Sequence, residues 1–244
     1  MKFINNLLRC VHRHDIDHHA SCFLAGKVNQ DQANTLYEKN GKPWYHLDGL
    51  KIGYLDIESD GLKADFSTML SWCIKEKDGP VTFDAVTKDE LFSGVSDQRI
   101  VESCVNEMLK YKIIVTYYGT GFDVPFLRAK ALHYNQYFPS YINEEQLLKN
   151  GNTKIVTVPE LYHFDLFYVV KSKLCISRKS LDNACDYLGI PGKTPIDKEM
   201  WRRAKYGDPA ALNEVISHNV GDVEILEQLH NRLEPFAKFT RKST

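Results

Sequence analysis

The chain lacks several features, and each absence removes a class of function. No stretch of it approaches the ~20 consecutive apolar residues of a membrane-spanning helix. The opening, MKFINNLLRC, has no apolar core of the roughly 7–15 residues that mark a secretory signal. The expectation is therefore a cytoplasmic protein with no membrane partner. Charge of one sign is lacking too: Lys+Arg number 31 against Asp+Glu 32, a net charge of -1. That excludes the strongly basic domain that holds nucleic acid by charge alone. It does not exclude a nucleic-acid enzyme, in which divalent cations neutralise acidic groups and a local basic stripe holds phosphates. Cysteine is limited to six residues, and in a reducing compartment a disulfide framework is not expected. Internal repeats and low-complexity tracts are absent. What remains is ordinary for a folded chain: 244 residues, 43% hydrophobic and 26% charged, enough for one large domain or one domain with an appendage.

The pattern along the chain divides near residue 48. Residues 1–48 hold His12, His14, His18 and His19 in one window between Cys10 and Cys22, followed by the polar stretch Val28–Lys42, a short helix or a link. From 49 to 244 the pattern is that of an α/β domain. Lys51–Ile57, Ser67–Lys75 and Val81–Val86 read as a strand meander, with Asp78-Gly79 turning the last pair. Gln98–Lys110 places Ile100, Val101, Cys104, Val105 and Leu109 at helical spacing. Ile113–Tyr118 reads as a buried strand and Phe122–Tyr134 as its helix. Ile155–Val158 and Tyr162–Phe164 are strand-like. Helices are expected at Asp165–Lys173, Lys179–Leu188, Asp197–Lys205 and Pro209–Leu233, the last with Asp208 as cap and proline at its first position. This order predicts a mixed sheet with helices on both faces.

Three acidic sites stand out, each with a plainer reading beside the chemical one. Asp56 and Glu58 lie two apart in a strand and share a face; they are either a solvent-facing sheet edge or a pair reconciled by a divalent cation. Asp123 follows a glycine-containing turn, Tyr118-Gly119-Thr120-Gly121-Phe122, and is a helix cap or a ligand. His218 and Asp222 are four apart on one helix face, a surface pair or part of a site, and Val215, Ile225 and Leu226 press that helix to the core.

Taken in order, Asp-Ile-Glu at 56–58, Phe-Asp-Val-Pro-Phe-Leu at 122–127 and Asn-Val-Gly-Asp-Val at 219–223 resemble the motifs of the DEDD 3′–5′ exonucleases. The similarity covers about residues 50–235. It is nearest to stand-alone bacterial and phage exonuclease domains related to the proofreading domain of family B DNA polymerases. The resemblance implies a ribonuclease H-like five-stranded mixed sheet and a chain of the bacterial cytosol or a phage-infected cell. It implies two Mg²⁺ or Mn²⁺ ions held by Asp56, Glu58, Asp123 and Asp222. Asp56 would bridge both ions. Glu58 and Asp222 would complete the water-activating position, and Asp123 would act at the second through water. His218 would orient or deprotonate the water. The substrate implied is a nucleic acid with a 3′ end, single-stranded DNA ahead of RNA, with a replication or repair partner. The alternatives are a non-catalytic nucleic-acid-binding module and a structure-specific nuclease on the same fold. Two departures mark this chain. Tyr118 stands where relatives carry Asn, and His218 occupies the slot of a Tyr-x-x-x-Asp spacing. Tyr118 and Phe122 would touch the terminal nucleotide. Lys171, Lys173, Arg178, Lys179 and Lys193 are either a solvated face or phosphate-binding groups, and the resemblance places them near the substrate groove. Asp165 is read as structural.

In the N-terminal segment, Cys10-Val11-His12 and His19-Ala20-Ser21-Cys22 give Cys-x-His and His-x-x-Cys. Two thiolates and two imidazoles suit one tetrahedral Zn²⁺, with His14 or His18 as substitutes for one imidazole. The other reading is a solvated histidine-rich tail. Cys73, Cys104, Cys175 and Cys185 have apolar neighbours and are expected in the core.

Overall fold

The computed structural model describes residues 8–94, 96–147, 152–191 and 195–236. The chain enters through two helices, α1 (Ile16–Leu24) and α2 (Gln30–Asn40). Asp15 and Asn29 cap them, each accepting a backbone N–H of the first turn, and Gly41 closes α2 in the left-handed conformation that glycine takes without strain. The meander follows as β1 (Ile52–Ser59), β2 (Met69–Glu76) and β3 (Val81–Ala85). After a short helix, α3 (Lys88–Leu91), come α4 (Gln98–Met108), β4 (Ile113–Thr116) and α5 (Asp123–His133). A hairpin, β5 (Tyr141–Leu147) and β6 (Thr153–Pro159), precedes β7 (Tyr162–Asp165). The chain then runs through α6 (Leu166–Lys173), α7 (Leu181–Leu188), α8 (Lys198–Ala204) and α9 (Pro209–Leu233).

The main sheet has five strands in the order β3-β2-β1-β4-β7. β1, β4 and β7 are parallel; β2 and β3 join antiparallel through the hairpin at Asp78. This is the expected mixed α/β architecture. Alternation along β1 splits the core in two. Leu55 and Ile57 join α4 and α5 on one face, with Ile100, Val101, Phe126 and Leu127. Ile52 and Tyr54 face the other way, onto α9, α6 and α7. Each layer is formed by apolar residues at the period of its own element, so burial follows from the pattern.

Ile155–Val158 is a strand, as expected, and pairs with β5 in a separate two-stranded sheet. β5 escapes detection because Tyr141, Asn143 and Glu145 are exposed and its composition is that of a loop. Cys175, expected in the core, is exposed, whereas Cys73, Cys104 and Cys185 are buried. The N-terminal segment is packed on the domain: Leu8, Ile16, Phe23, Leu24 and Trp44 belong to the same buried cluster as Ile52, Tyr54 and Leu233. Among the described residues no helix is long and apolar enough to cross a membrane.

Candidate active site

The carboxyl ends of the parallel strands collect the acidic motifs. β1 runs past the end of β4, because their pairing stops at Tyr54↔Val115. The Ile57 N–H beyond that point needs an acceptor, and Asp123 supplies it: Ile57 N donates to Asp123 Oδ1 at 3.1 Å. Asp123 is the first residue of α5, while the capping position belongs to Phe122. The helix-cap reading of Asp123 is thereby replaced by a bond across to β1. Asp123 is 3% exposed. Burial is the main cause that pushes its carboxyl up to about 7; the N–H groups of Asp123 and Ile57 oppose the shift, and Asp165 and Asp222 add to it.

Asp56 and Glu58 project from β1 on the α9 side, opposite Cys73 and Ser71 of β2. The long helix α9 is pinned to that face at several points. Tyr54 Oη lies 2.7 Å from His230 Nδ1, Asn219 Nδ2 donates to Ser71 Oγ at 3.1 Å, and Lys75 Nζ pairs with Glu227 at 3.1 Å. Burial holds the His230 imidazole down at about 3, so the pair with Tyr54 is neutral. From Asp222 to His230 a helix rises about 12 Å, and from Tyr54 to Glu58 a strand spans about 13 Å. Anchoring His230 at Tyr54 therefore delivers Asp222 and His218 to the acidic end of β1.

There His218 Nε2 stands 3.7 Å from Glu58 Oε1 and 4.0 Å from Asp222 Oδ2. One donor atom each from Glu58, His218 and Asp222 lie within 4.8 Å of one another. The Trp201 ring of α8 meets the His218 ring edge-on at 6.5 Å and shapes one side of its pocket. Cys73 of β2 lies beside these carboxylates. Its thiol is pushed well above the usual range, first by burial and then by Asp56, Glu58 and Asp222.

Asp165 takes three backbone N–H groups, from Tyr118 (2.8 Å), Thr120 (2.9 Å) and Phe167 (3.0 Å). It caps α6 and holds the turn after β4, the structural role expected of it. Within that turn Tyr118 has φ +64, the left-handed region that a bulky residue adopts only with strain, and its ring lies 4.9 Å from Phe167. Asn tolerates this conformation better, which explains physically why the Tyr118 departure is notable. A side chain at Gly119 would strike Thr116, with its Cβ only 2.3 Å from Oγ1. Phe122 stacks obliquely on Phe126 and is half-buried.

The basic residues are treated unequally. Lys171, Lys173 and Arg178 are exposed along and after α6. Lys179 is half-buried, and its ammonium donates to the Leu174 and Ile176 carbonyls, so its charge is spent on the loop. Lys193 lies outside the described residues. Sequence reasoning missed Trp201, Ser71 and Asn219. Asn219 lay inside the third motif string, but nothing in the order of residues links Trp201 or Ser71 to it.

The family model of the RNase H superfamily matches residues 53–234. The chain belongs to the RNase H superfamily. The matched span holds all four motif carboxylates and His218. Membership supports a nuclease acting on nucleic acid, in a superfamily whose nucleases generally use divalent metals. Among solved structures, this RNase H superfamily member is similar to the family B DNA polymerase of the archaeon Pyrobaculum calidifontis. The TM-score is 0.56 at 22% identity, over 76% of this chain and 24% of the polymerase. The likeness is one of fold, and this chain corresponds to about a quarter of the polymerase. No curated protein matches the chain.

Proposed function

We propose that this RNase H superfamily member is a two-metal-ion 3′–5′ exonuclease that releases nucleoside 5′-monophosphates, from single-stranded DNA in preference to RNA. The observation that carries the reading is convergence. Asp56 and Glu58 of β1, Asp123 at the start of α5, and Asp222 of α9 come from three distant parts of the chain to one end of the sheet, with His218 3.7 Å from Glu58. Hard carboxylate oxygens gathered beside His218 fit Mg²⁺ or Mn²⁺. Two such ions, when bound, supply Lewis acidity at the attacking and leaving oxygens.

The protein's own residues then have distinct tasks. In this reading Asp56, Glu58 and Asp222 would hold the ions, and Asp123, which accepts the Ile57 N–H, would help to orient them. His218 shares the pocket of Glu58 and Asp222 and takes up or orients the proton of the attacking water. Tyr118 and Phe122, in the turn before Asp123, would contact the terminal nucleotide in this reading. Lys171, Lys173 and Arg178 offer exposed cations to the phosphate backbone. The preference for DNA rests on the likeness to a DNA polymerase, and a replication or repair protein is the partner expected with it. The test is degradation of matched 3′- and 5′-labelled DNA and RNA, single- and double-stranded, with Mg²⁺ or Mn²⁺. Expected is mononucleotide release from the 3′ label, and a shortening ladder that keeps the 5′ label. Internal fragments from the first time point, or binding without cleavage, overturn the proposal.

A further inference from the structure

A second cluster of metal-ligating side chains lies outside the span matched by the superfamily and on a different part of the molecule. Cys10, His12, His19 and Cys22 bring one donor atom each to within 4.8 Å of one another. We propose that these four residues bind one structural Zn²⁺ through two thiolates and two Nδ1 atoms, and that the ion clips residues 8–28 into a fixed shape against the domain.

The distances carry the argument. Zinc–sulfur and zinc–nitrogen lengths of about 2.3 and 2.0 Å at tetrahedral angles put sulfur and nitrogen roughly 3.5 Å apart. Cys10 Sγ lies 3.4 Å from His19 Nδ1 and 4.0 Å from His12 Nδ1, and Cys22 Sγ lies 3.3 Å from His12 Nδ1. Both imidazoles offer the same nitrogen to the same centre. Four protein donors make a closed site, as structural zinc requires, and soft sulfur selects zinc over the hard cations that suit the carboxylate site.

The backbone is bent to achieve this. Arg13 turns the chain at φ +66, in the left-handed region. An isolated bridge between Cys10 and Val28 returns the chain to its start. Within α1, His19 leaves helical geometry (φ -146, ψ 47), and the break turns its ring toward Cys10. An uninterrupted α-helix would need no such break, and a metal–ligand bond supplies the compensating energy. The other two histidines are not brought in. His18 is turned to Asp15, which caps the helix and pairs with Arg9 at 2.8 Å, and His14 is exposed with its ring 5.2 Å from that of His19. Binding is balanced by loss of a proton from each of the two thiols, so affinity falls in acid.

The clipped segment is tied to the sheet: Lys112 Nζ pairs with Asp17 at 2.6 Å, and the Tyr162 hydroxyl donates to the Asp17 carbonyl at 2.6 Å. X-ray absorption at the zinc edge on the full chain, purified without chelator from zinc-supplemented cells, tests the proposal directly. Expected is one zinc per chain with two sulfur and two nitrogen neighbours, at about 2.3 and 2.0 Å. Added Co²⁺ in place of zinc should show thiolate-to-cobalt charge transfer, and Cys10→Ser/Cys22→Ser should abolish both signals. His12→Ala, at an exposed position, should weaken zinc retention at least tenfold, which keeps the test open if the double variant fails to fold. Metal held only by oxygen and nitrogen, zinc-free protein with free Cys10 and Cys22 thiols, or a Cys10–Cys22 disulfide by mass overturns it.

Discussion

The molecule gathers metal-ligating side chains in two places, and they are built in opposite ways. The Cys10, His12, His19 and Cys22 cluster comes from a short stretch of chain and offers four protein donors, two of them soft sulfur atoms. The proposed Asp56, Glu58, Asp123 and Asp222 site draws on strands and helices across most of the matched span, offers hard donors and has His218 beside Glu58. The first arrangement suits an ion that holds shape. The second suits ions that exchange water and meet a substrate. If both proposals hold, ligand chemistry alone separates a staple from a reaction centre within one chain.

The comparison can be broken most severely at Asp56. Asp56→Ala should lower nucleotide release by roughly 10³-fold or more, since metal-ion stabilisation supplies several kcal/mol to the transition state. The melting temperature of the metal-free variant should be unchanged or raised, because one charge leaves a repulsive cluster. Wild-type release of a 3′ label would show that the carboxylate site is misassigned.

His218 comes next. His218→Ala should cost about 10²–10⁴ in single-turnover rate, the range of a general acid–base group, with Mn²⁺ affinity little changed. His218→Tyr should recover part of the loss. A rate–pH series for the three proteins decides it: an Ala variant within about threefold of wild type at every pH would make His218 a packing partner of Trp201 and nothing more.

Asp123 sharpens the comparison through stability. Its carboxyl is raised from 3.8 to about 7 in the fold, chiefly by burial. The folded state then holds a proton that the unfolded state releases. Its contribution is complete below about pH 4 and is lost as pH rises to about 7, on the order of a few kcal/mol at most. Chemical denaturation in EDTA from pH 4 to 8 should show this fall in wild type and a flatter profile in Asp123→Asn. Mg²⁺ should restore stability at neutral pH in wild type only. Equal slopes for both proteins would place the proton elsewhere.

The smallest effect belongs to the other cluster. Cys10→Ser/Cys22→Ser should leave single-turnover cleavage within about threefold of wild type, since no group that acts on the substrate is touched, while zinc content falls to zero. A larger loss in a folded double variant would mean that the two centres are coupled.

Much of the candidate site could be read from residue order, for a physical reason. Asp56 and Glu58 announce themselves because a strand repeats every two residues, and His218 with Asp222 because a helix brings i and i+4 together. α9 is bounded as expected, since Asp208 and Pro209 are local signals acting within one turn. Cys-x-His and His-x-x-Cys are likewise visible within a short window. The β5–β6 hairpin was only half legible: an exposed strand with Glu144 and Glu145 carries no apolar alternation to betray it. Lys179 illustrates the opposite failure: expected on a solvated face or at a phosphate, its ammonium donates to two carbonyls.

Residue order alone therefore settled which donors the chain carries and which neighbours share a face, because those follow from periods of two and 3.6 residues. The tertiary structure decided which distant donors meet. Asp123 reaches β1 only because β4 stops short and exposes the Ile57 N–H. Asp222 and His218 arrive at Glu58 only because His230 and Asn219 lock α9 over β1 and β2. His19 rather than His18 faces the sulfur atoms because the helix breaks there. Each of these depends on strand order, strand length or a local break, quantities set by packing across the whole sheet and absent from any short window of sequence.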